Sequence, residues 1–457
     1  MTTQGTAPRF GAEMKATLRL ALPLALAQAS VMLMGVVDTA VVGRHSPLEL
    51  GAVSLGNALT YGTLVFGMGF AMALEPLVAQ ALGAADRRRA WGWWRVGLQV
   101  AAVAGVPLTA VTLLLSQITP AFGVEADLAE RATAYLMARA PAMLLYLPYM
   151  AARSVLQSHQ RTLSLVIAAA VANVFNLLAN VLLVNGDRGL VALGLPALGL
   201  PELGGVGAGV ATSVSTGVML VIMLRDLRRY RPAEGGERPR DGRRRLLRLG
   251  LPLGLQLAAE FVVFSAVGVM AATIDAVAAG AHQIALHCTT MAFMAVIGVG
   301  GATSARVGHA VGRGGGPAVR GAALAGLTVG LIIMATSALA FVTVPGALAG
   351  LFAPDEPAVL ALATELLAIG GFFQLFDGIQ VVIAGALRGA GDVRRPFLIT
   401  LACHWGVGFP TAALLAFTAG LGAHGLWYGL TAGLAIVSAA LAWRFVALTR
   451  RPLARVD

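Results

Sequence analysis

AALAGLTVGLIIMATSALAFVTV (Ala322–Val344) carries no charge for about twenty residues, the length a helix needs to cross the hydrocarbon core of a bilayer. Val96–Leu115 does the same. Strands of a soluble parallel sheet are also apolar throughout, but run to about a third of this length. A membrane barrel needs short alternating segments, and the sequence has none of that pattern. The chain is 58% hydrophobic and 12% charged, against about 25% charged in soluble domains, so it has too little charge to cover a soluble surface of this size. Its 56 glycines fall mostly inside the apolar blocks beside Ala, Ser and Thr, where small residues let membrane helices approach closely.

Working outward from that stretch, twelve apolar blocks are read: 17–43, 50–82, 92–116, 131–152, 160–184, 205–225, 248–270, 278–308, 319–343, 361–385, 396–418 and 423–446. The loops between them alternate in charge. One set is basic: Lys15 and Arg19, Arg87–Arg89 with Arg95, Arg153 and Arg161, the Arg225–Arg248 segment, Arg306, Arg313 and Arg320, Arg388, Arg394 and Arg395, and the C-terminal arginines. The other set is acidic or nearly neutral, with Glu125, Asp127 and Glu130, Asp187 and Glu202, Asp275, and Asp355 and Glu356. The positive-inside rule assigns the basic set to the cytoplasm and expects both termini there. The net charge of +11 then follows from topology, so anionic lipid headgroups rather than nucleic acid are the expected partners of the arginines. The N-terminal stretch lacks a signal-peptide cleavage pattern, so the first block is expected to be retained as a span.

The blocks repeat. Leu22-Pro23 recurs as Leu251-Pro252, Gly51 as Gly280 and Gly83 as Gly312, each 229 residues on. Leu156-Gln157-Ser158 recurs as Leu387-Arg388-Gly389 at 231, and Gly204 and Gly207 as Gly422 and Gly425 at 218. The expected architecture is an all-α polytopic membrane protein with twelve transmembrane helices in two six-helix lobes related by a parallel repeat. Residues 1–16 are read as a cytoplasmic tail, 17–225 as the N-lobe, 226–247 as a flexible arginine-rich linker, 248–446 as the C-lobe and 447–457 as a second tail. A cleft between the halves is the expected substrate path.

Five motifs in order resemble the multidrug and toxic compound extrusion (MATE) family, especially its bacterial branch. They are Val37-Asp38-Thr39 with Gly43; Val78-Ala79-Gln80 before Gly83-Ala84; Ala281-His282-Gln283; Leu387-Arg388-Gly389-Ala390-Gly391-Asp392; and Trp405-Gly406 with Gly408 and Pro410. The resemblance covers nearly the whole chain. It implies two lobes in a V, and secondary active multidrug efflux: antiport of organic cations or amphiphiles against inward Na+ or H+ in the bacterial inner membrane.

Carboxylates inside apolar blocks are costly and few, so each is a functional candidate. Asp38 sits in the outer half of the first block among Val36, Val37, Ala40 and Val41. It can bind sodium with neighbouring oxygens, or take up a proton. Asn173, Asn176 and Asn180 lie three and four residues apart, on one face of the fifth helix, and are the expected helpers. The resemblance likewise places a cation site at this aspartate with asparagine assistance. Glu260 and Asp377 in the second half are candidates for cationic substrate or a second cation, with Phe261, Phe264, Phe293, Phe372, Phe373 and Phe376 near them in sequence. Glu75, Gln283 and His282 are accessory candidates; His282 is read as a cap near the start of the eighth helix.

No phosphate-binding Gly-x4-Gly-Lys-Ser/Thr loop, nucleophile elbow or zinc-ligand spacing occurs, so neither an ATP-driven pump nor an enzyme is expected, and no cofactor beyond the coupling ion. Cys288 and Cys403 are read as reduced packing residues. The alternative weighed is a flippase for lipid-linked intermediates. It would place arginines within the central spans, whereas here they are read at span ends. A monomer is expected.

Overall fold

The computed structural model describes residues 10–192, 194 and 196–456, and every regular element among them is helical. Twelve long helices follow the twelve blocks. In the first half they are α1 (Phe10–His45), α2 (Pro47–Gly83), α3 (Arg87–Ile118), α4 (Ala126–Ser158), α5 (Leu163–Asn185) and α6 (Gly204–Leu227). In the second they are α7 (Gly242–Ile274), α8 (Ala276–Gly312), α9 (Pro317–Thr343), α10 (Pro357–Gly389), α11 (Arg394–Thr418) and α12 (Gly422–Thr449). Eleven of these are long and apolar enough to cross a membrane; α4, with Glu130, Arg131, Arg139 and Arg153 along its 33 residues, is the exception. Residues 1–9 of the expected N-terminal tail and Asp457 of the C-terminal one lie outside the described residues.

Local chemistry explains the irregularities. α2 breaks between Met72 and Leu74. Pro76 has no N–H for the carbonyl of Met72, four residues back, so the ladder loses a bond there. In α11 two π-helical turns, His404–Gly408 and Leu414–Thr418, bracket Pro410. α12 meets α11 through Gly425, Gly429 and Gly433, which lie against Ala416, Ala412 and Gly408 too closely for a side chain.

The chain divides into two compact units: one of the chain up to Ala25, Glu75–Asp86 and Leu255–Asp457, the other of Leu26–Leu74 and Arg87–Gly254. In the first unit the sequence repeat becomes a physical contact. A Cβ on Gly83 would lie 2.4 Å from the carbonyl oxygen of His309, and one on Gly312 would lie 2.1 Å from that of Gln80. Gln80 and His309 are themselves 229 residues apart, so the contact is made twice by the same pair of positions, and Gly308 packs on its own mate Ala79. The bare helix faces are therefore a requirement of the approach. Gly83→Leu or Gly312→Leu is expected to lower the thermal midpoint of the purified protein clearly, since forced overpacking costs about 1–3 kcal/mol or more. Gly321→Leu, with nothing within 4 Å, should leave it unchanged. Equal midpoints for all three variants would refute the constraint.

In the second unit, α6 lies on α5 at Gly207, against the Leu183 carbonyl, and on α4 at Gly209, against the backbone from Tyr135 to Arg139. The expected flexible linker is corrected: it is held down. Glu237 N–H donates to the Arg88 carbonyl at 3.1 Å, and Glu234 pairs with Arg88 at 3.0 Å. Gly92 leaves room on α3 for the Glu237 carbonyl, which a Cβ would strike at 1.7 Å. The arginines from Arg243 to Arg248 belong to the first turns of α7. Between α5 and α6, the Asp187 carboxylate accepts N–H groups of Leu198, Gly199 and Leu200, which hold it below the usual carboxylate range.

Candidate functional site

Asp38 is buried at 2% exposure in the second unit, where three helices converge on its carboxylate. Nδ2 of Asn176 donates to Oδ1 at 3.1 Å and Nδ2 of Asn180 to the same oxygen at 2.7 Å. The Thr212 hydroxyl, from α6, donates to Oδ2 at 2.7 Å. One turn of α5 separates the two asparagines, so both side chains reach one carboxylate. Their Oδ1 atoms make no hydrogen bond. Which end of each amide faces Asp38 is an assignment from the hydrogen-bond network. With the amides turned over, the same groups would offer a carboxylate, two amide oxygens and a hydroxyl, a hard oxygen set suited to a small cation.

Asn173 is not in this cluster. Its amide donates to the carbonyl and hydroxyl of Ser30, both at 2.8 Å. Thr212 is a member the sequence reading lacked; Thr212, Ser213, Ser215 and Thr216 stand together in α6, and their spacing alone does not show which of them meets Asp38. Arg139 was also passed over. It lies in the middle of α4, within the apolar block read at 131–152, which corrects the placement of all arginines at the ends of the blocks. Its guanidinium donates to the Asn57 side-chain oxygen and the Tyr135 hydroxyl, with its carbon 5.6 Å from the Tyr135 ring centre. Arg153, on the same helix, is buried and donates to Gln28 at 2.7 Å, whereas Arg139 is half-buried.

The other unit holds Glu260 and Asp377. Glu260 on α7 accepts from Gln256 at 3.1 Å and from Gln380 at 3.3 Å. Gln380 stands one turn beyond Asp377 on α10, so the two carboxyls belong to one polar patch, and Asp377 is buried at 7% exposure. Beside it, Phe264 meets Phe373 edge-on at 6.1 Å, and Phe373 meets Trp427 at 5.7 Å. Phe372 is 64% exposed and takes no part in this stack.

The accessory candidates go elsewhere. Glu75 pairs with Arg388 at 3.0 Å in the first unit, both side chains almost wholly buried. It belongs to an ion pair and not to the Asp38 cluster. His282 does not cap its helix: α8 begins at Ala276, and Asp275 caps it by accepting from the Ala278 N–H at 2.6 Å. His282 is buried against Trp427. Gln283 is exposed and bonds His287 at 3.1 Å. Among the described residues no three His, Cys, Asp or Glu side chains gather as a metal-binding group.

Comparison with known proteins matches the repeat twice over. The MatE family model fits residues 23–182 and 252–414, the two segments starting 229 residues apart at Pro23 and Pro252. The probable multidrug resistance protein NorM of Burkholderia pseudomallei is 35% identical over 94% of this chain and 92% of its own. That of Deinococcus radiodurans is 35% identical over 96% of each. Among solved structures, a MATE in the bent conformation superposes with a TM-score of 0.84 at 19% identity, covering 98% of this chain and 99% of that one. The eukaryotic MATE transporter AtDTX14 gives 0.82 at 20% identity, covering 96% of both.

Proposed function

The chain belongs to the MatE family, and on that premise we propose how its buried carboxylates couple an ion to efflux. The protein is a multi-pass membrane transporter of the secondary-active multidrug efflux type, and not an enzyme. We assign the coupling ion to Asp38, Asn176, Asn180 and Thr212. The single observation that carries the assignment is the Asp38 carboxylate itself, buried in a span and met by three hydrogen-bond donors from two other helices. Such a group gains much by taking up a cation, H+ or Na+, as it passes from an aqueous opening into a dry interior. Alternating access links that uptake to export of an amphiphilic or cationic drug across the bacterial inner membrane. Six-helix lobes at 17–225 and 248–446, both termini in the cytoplasm and a monomeric working state complete the proposal.

Glu260 and Asp377 we assign to the cationic substrate or a second cation, supported by their shared polar patch beside Phe264 and Phe373. Glu260→Gln and Asp377→Asn are then expected to weaken binding of cationic compounds about tenfold while sparing neutral ones of similar size, because only the cation gains from a buried negative charge. Direct binding to purified protein reads this out; equal losses for both ligand classes would make the pair structural. The experiment for the whole assignment is drug efflux from proteoliposomes with sodium and proton gradients imposed separately. Transport that follows neither gradient would overturn it.

A further inference from the structure

The cluster next to the Asp38 site contains Val42, Tyr135, Val184 and Ala208, one residue from each of four helices. Step one turn along each helix, four residues, and the positions reached are Asp38, Arg139, Asn180 and Thr212. Three of these four are joined by hydrogen bonds at Asp38. The fourth is Arg139. α4 is fastened to α6 at this depth: the Ser213 hydroxyl donates to the Ala138 carbonyl at 2.9 Å, and Gly209 lies against the backbone from Tyr135 to Arg139. The guanidinium is therefore level with the carboxylate, within range of its charge. Its hydrogen bonds go to neutral groups, Asn57 and Tyr135, which hold it in place without cancelling its charge. α5 and α6 present Asp38 with amides and a hydroxyl. The charged or titratable groups facing it are Arg139 and Tyr135, with Tyr146 beyond Arg139.

We propose that Arg139 is a fixed internal counter-charge of the Asp38 site, competing with the coupling cation for the carboxylate and promoting its release. Without the cation, the Asp38–Arg139 layer is neutral. With it, the layer carries a net positive charge in a medium of low polarity, which repels the bound ion whether it is H+ or Na+. The inference rests on the coupling role given to Asp38 above. It makes Arg139 a positioning residue that sets the working affinity of the site, at the cost of tight binding.

The test is cation dependence of drug efflux by reconstituted full-length protein, with Arg139→Gln, Arg139→Met and Arg139→Lys beside Asp38→Asn. The two neutral variants are expected to reach half-maximal rate at about tenfold lower coupling-cation concentration. Their maximal rate should fall, because release is slowed, and Arg139→Lys should stay close to the parent. A structural role alone would not move affinity and maximal rate in these opposite senses. Half-saturation within twofold of the parent in a well-assembled neutral variant would overturn the proposal. So would failure of both neutral variants to assemble while Arg139→Lys assembles, since the charge would then serve the fold. If Asp38→Asn retains gradient-driven efflux, the coupling role of Asp38 itself fails. If Asp38→Asn is inactive and the neutral variants are unshifted, only the role of Arg139 does.

Discussion

Asp38→Asn is expected to abolish gradient-driven efflux while leaving the protein inserted in the membrane. The substitution keeps the shape of the side chain and removes its charge. Three donors now converge on two carboxylate oxygens. An asparagine at 38 has one oxygen for them, and its NH2 must face Asn176 and Asn180 or Thr212. If the amides turn their free oxygens inward, the variant is satisfied at little cost. If they do not, an unpaired buried donor costs about 1–3 kcal/mol. Neither outcome restores a group that can take up a cation. Efflux in proteoliposomes should fall to the level of protein-free vesicles under either gradient, with a normal elution profile in detergent. Parental rates in well-inserted Asp38→Asn would remove Asp38 from coupling.

The second large effect falls on Glu75 and Arg388. Both side chains are nearly inaccessible and joined at 3.0 Å. The pair binds the segment after the α2 break to the end of α10. The same junction is tied by the Gln80 side chain, which donates to the Gly389 carbonyl at 3.0 Å and accepts the Val456 N–H at 2.8 Å. Removing one partner of a buried pair strands the other charge and costs about 3–5 kcal/mol. Glu75→Leu and Arg388→Met singly should each lower the thermal midpoint strongly, and the double variant should lose much less than the sum of the two. By contrast Asp127→Asn, which breaks a more exposed pair with Arg131, should change little, in keeping with the value of about 0–1 kcal/mol for surface pairs. Strict additivity of Glu75→Leu and Arg388→Met would show that the two charges do not support each other.

Much of this was legible in the sequence, and the failures have a common cause. Spans and repeat depend on hydrophobicity along one chain segment, so twelve blocks became twelve helices. Helix faces were legible too: Asn176 and Asn180 do share a face and do meet Asp38. Asn173 shares that face but not the depth. It lies seven residues before Asn180, about 10 Å along the helix, and meets Ser30, eight residues before Asp38 on α1. Periodicity gives direction around a helix; register against a neighbour comes only from packing. Thr212 and Arg388 come from 174 and 313 residues away in the chain, distances at which no spacing rule operates. The linker was misread for a similar reason. Beside the Glu234–Arg88 ion pair, its hold on α3 is made by backbone atoms at Gly92 and Arg88, and composition says nothing of backbone contacts.

The meeting of Gly83 with Gly312 has the form of a contact between two copies of one half. Position 80 of one copy touches position 83 of the other, and the reverse contact is made by the mates of both. Such reciprocity is the signature of an isologous dimer interface. A single gene encoding six helices, whose product paired with itself, would have felt every mutation at this glycine on both sides at once. In one chain carrying both copies that constraint is absent, because each side is a separate codon. Accordingly Gln80 and His309 differ at the centre of this contact, while the closeness of the backbones requires glycine at both 83 and 312.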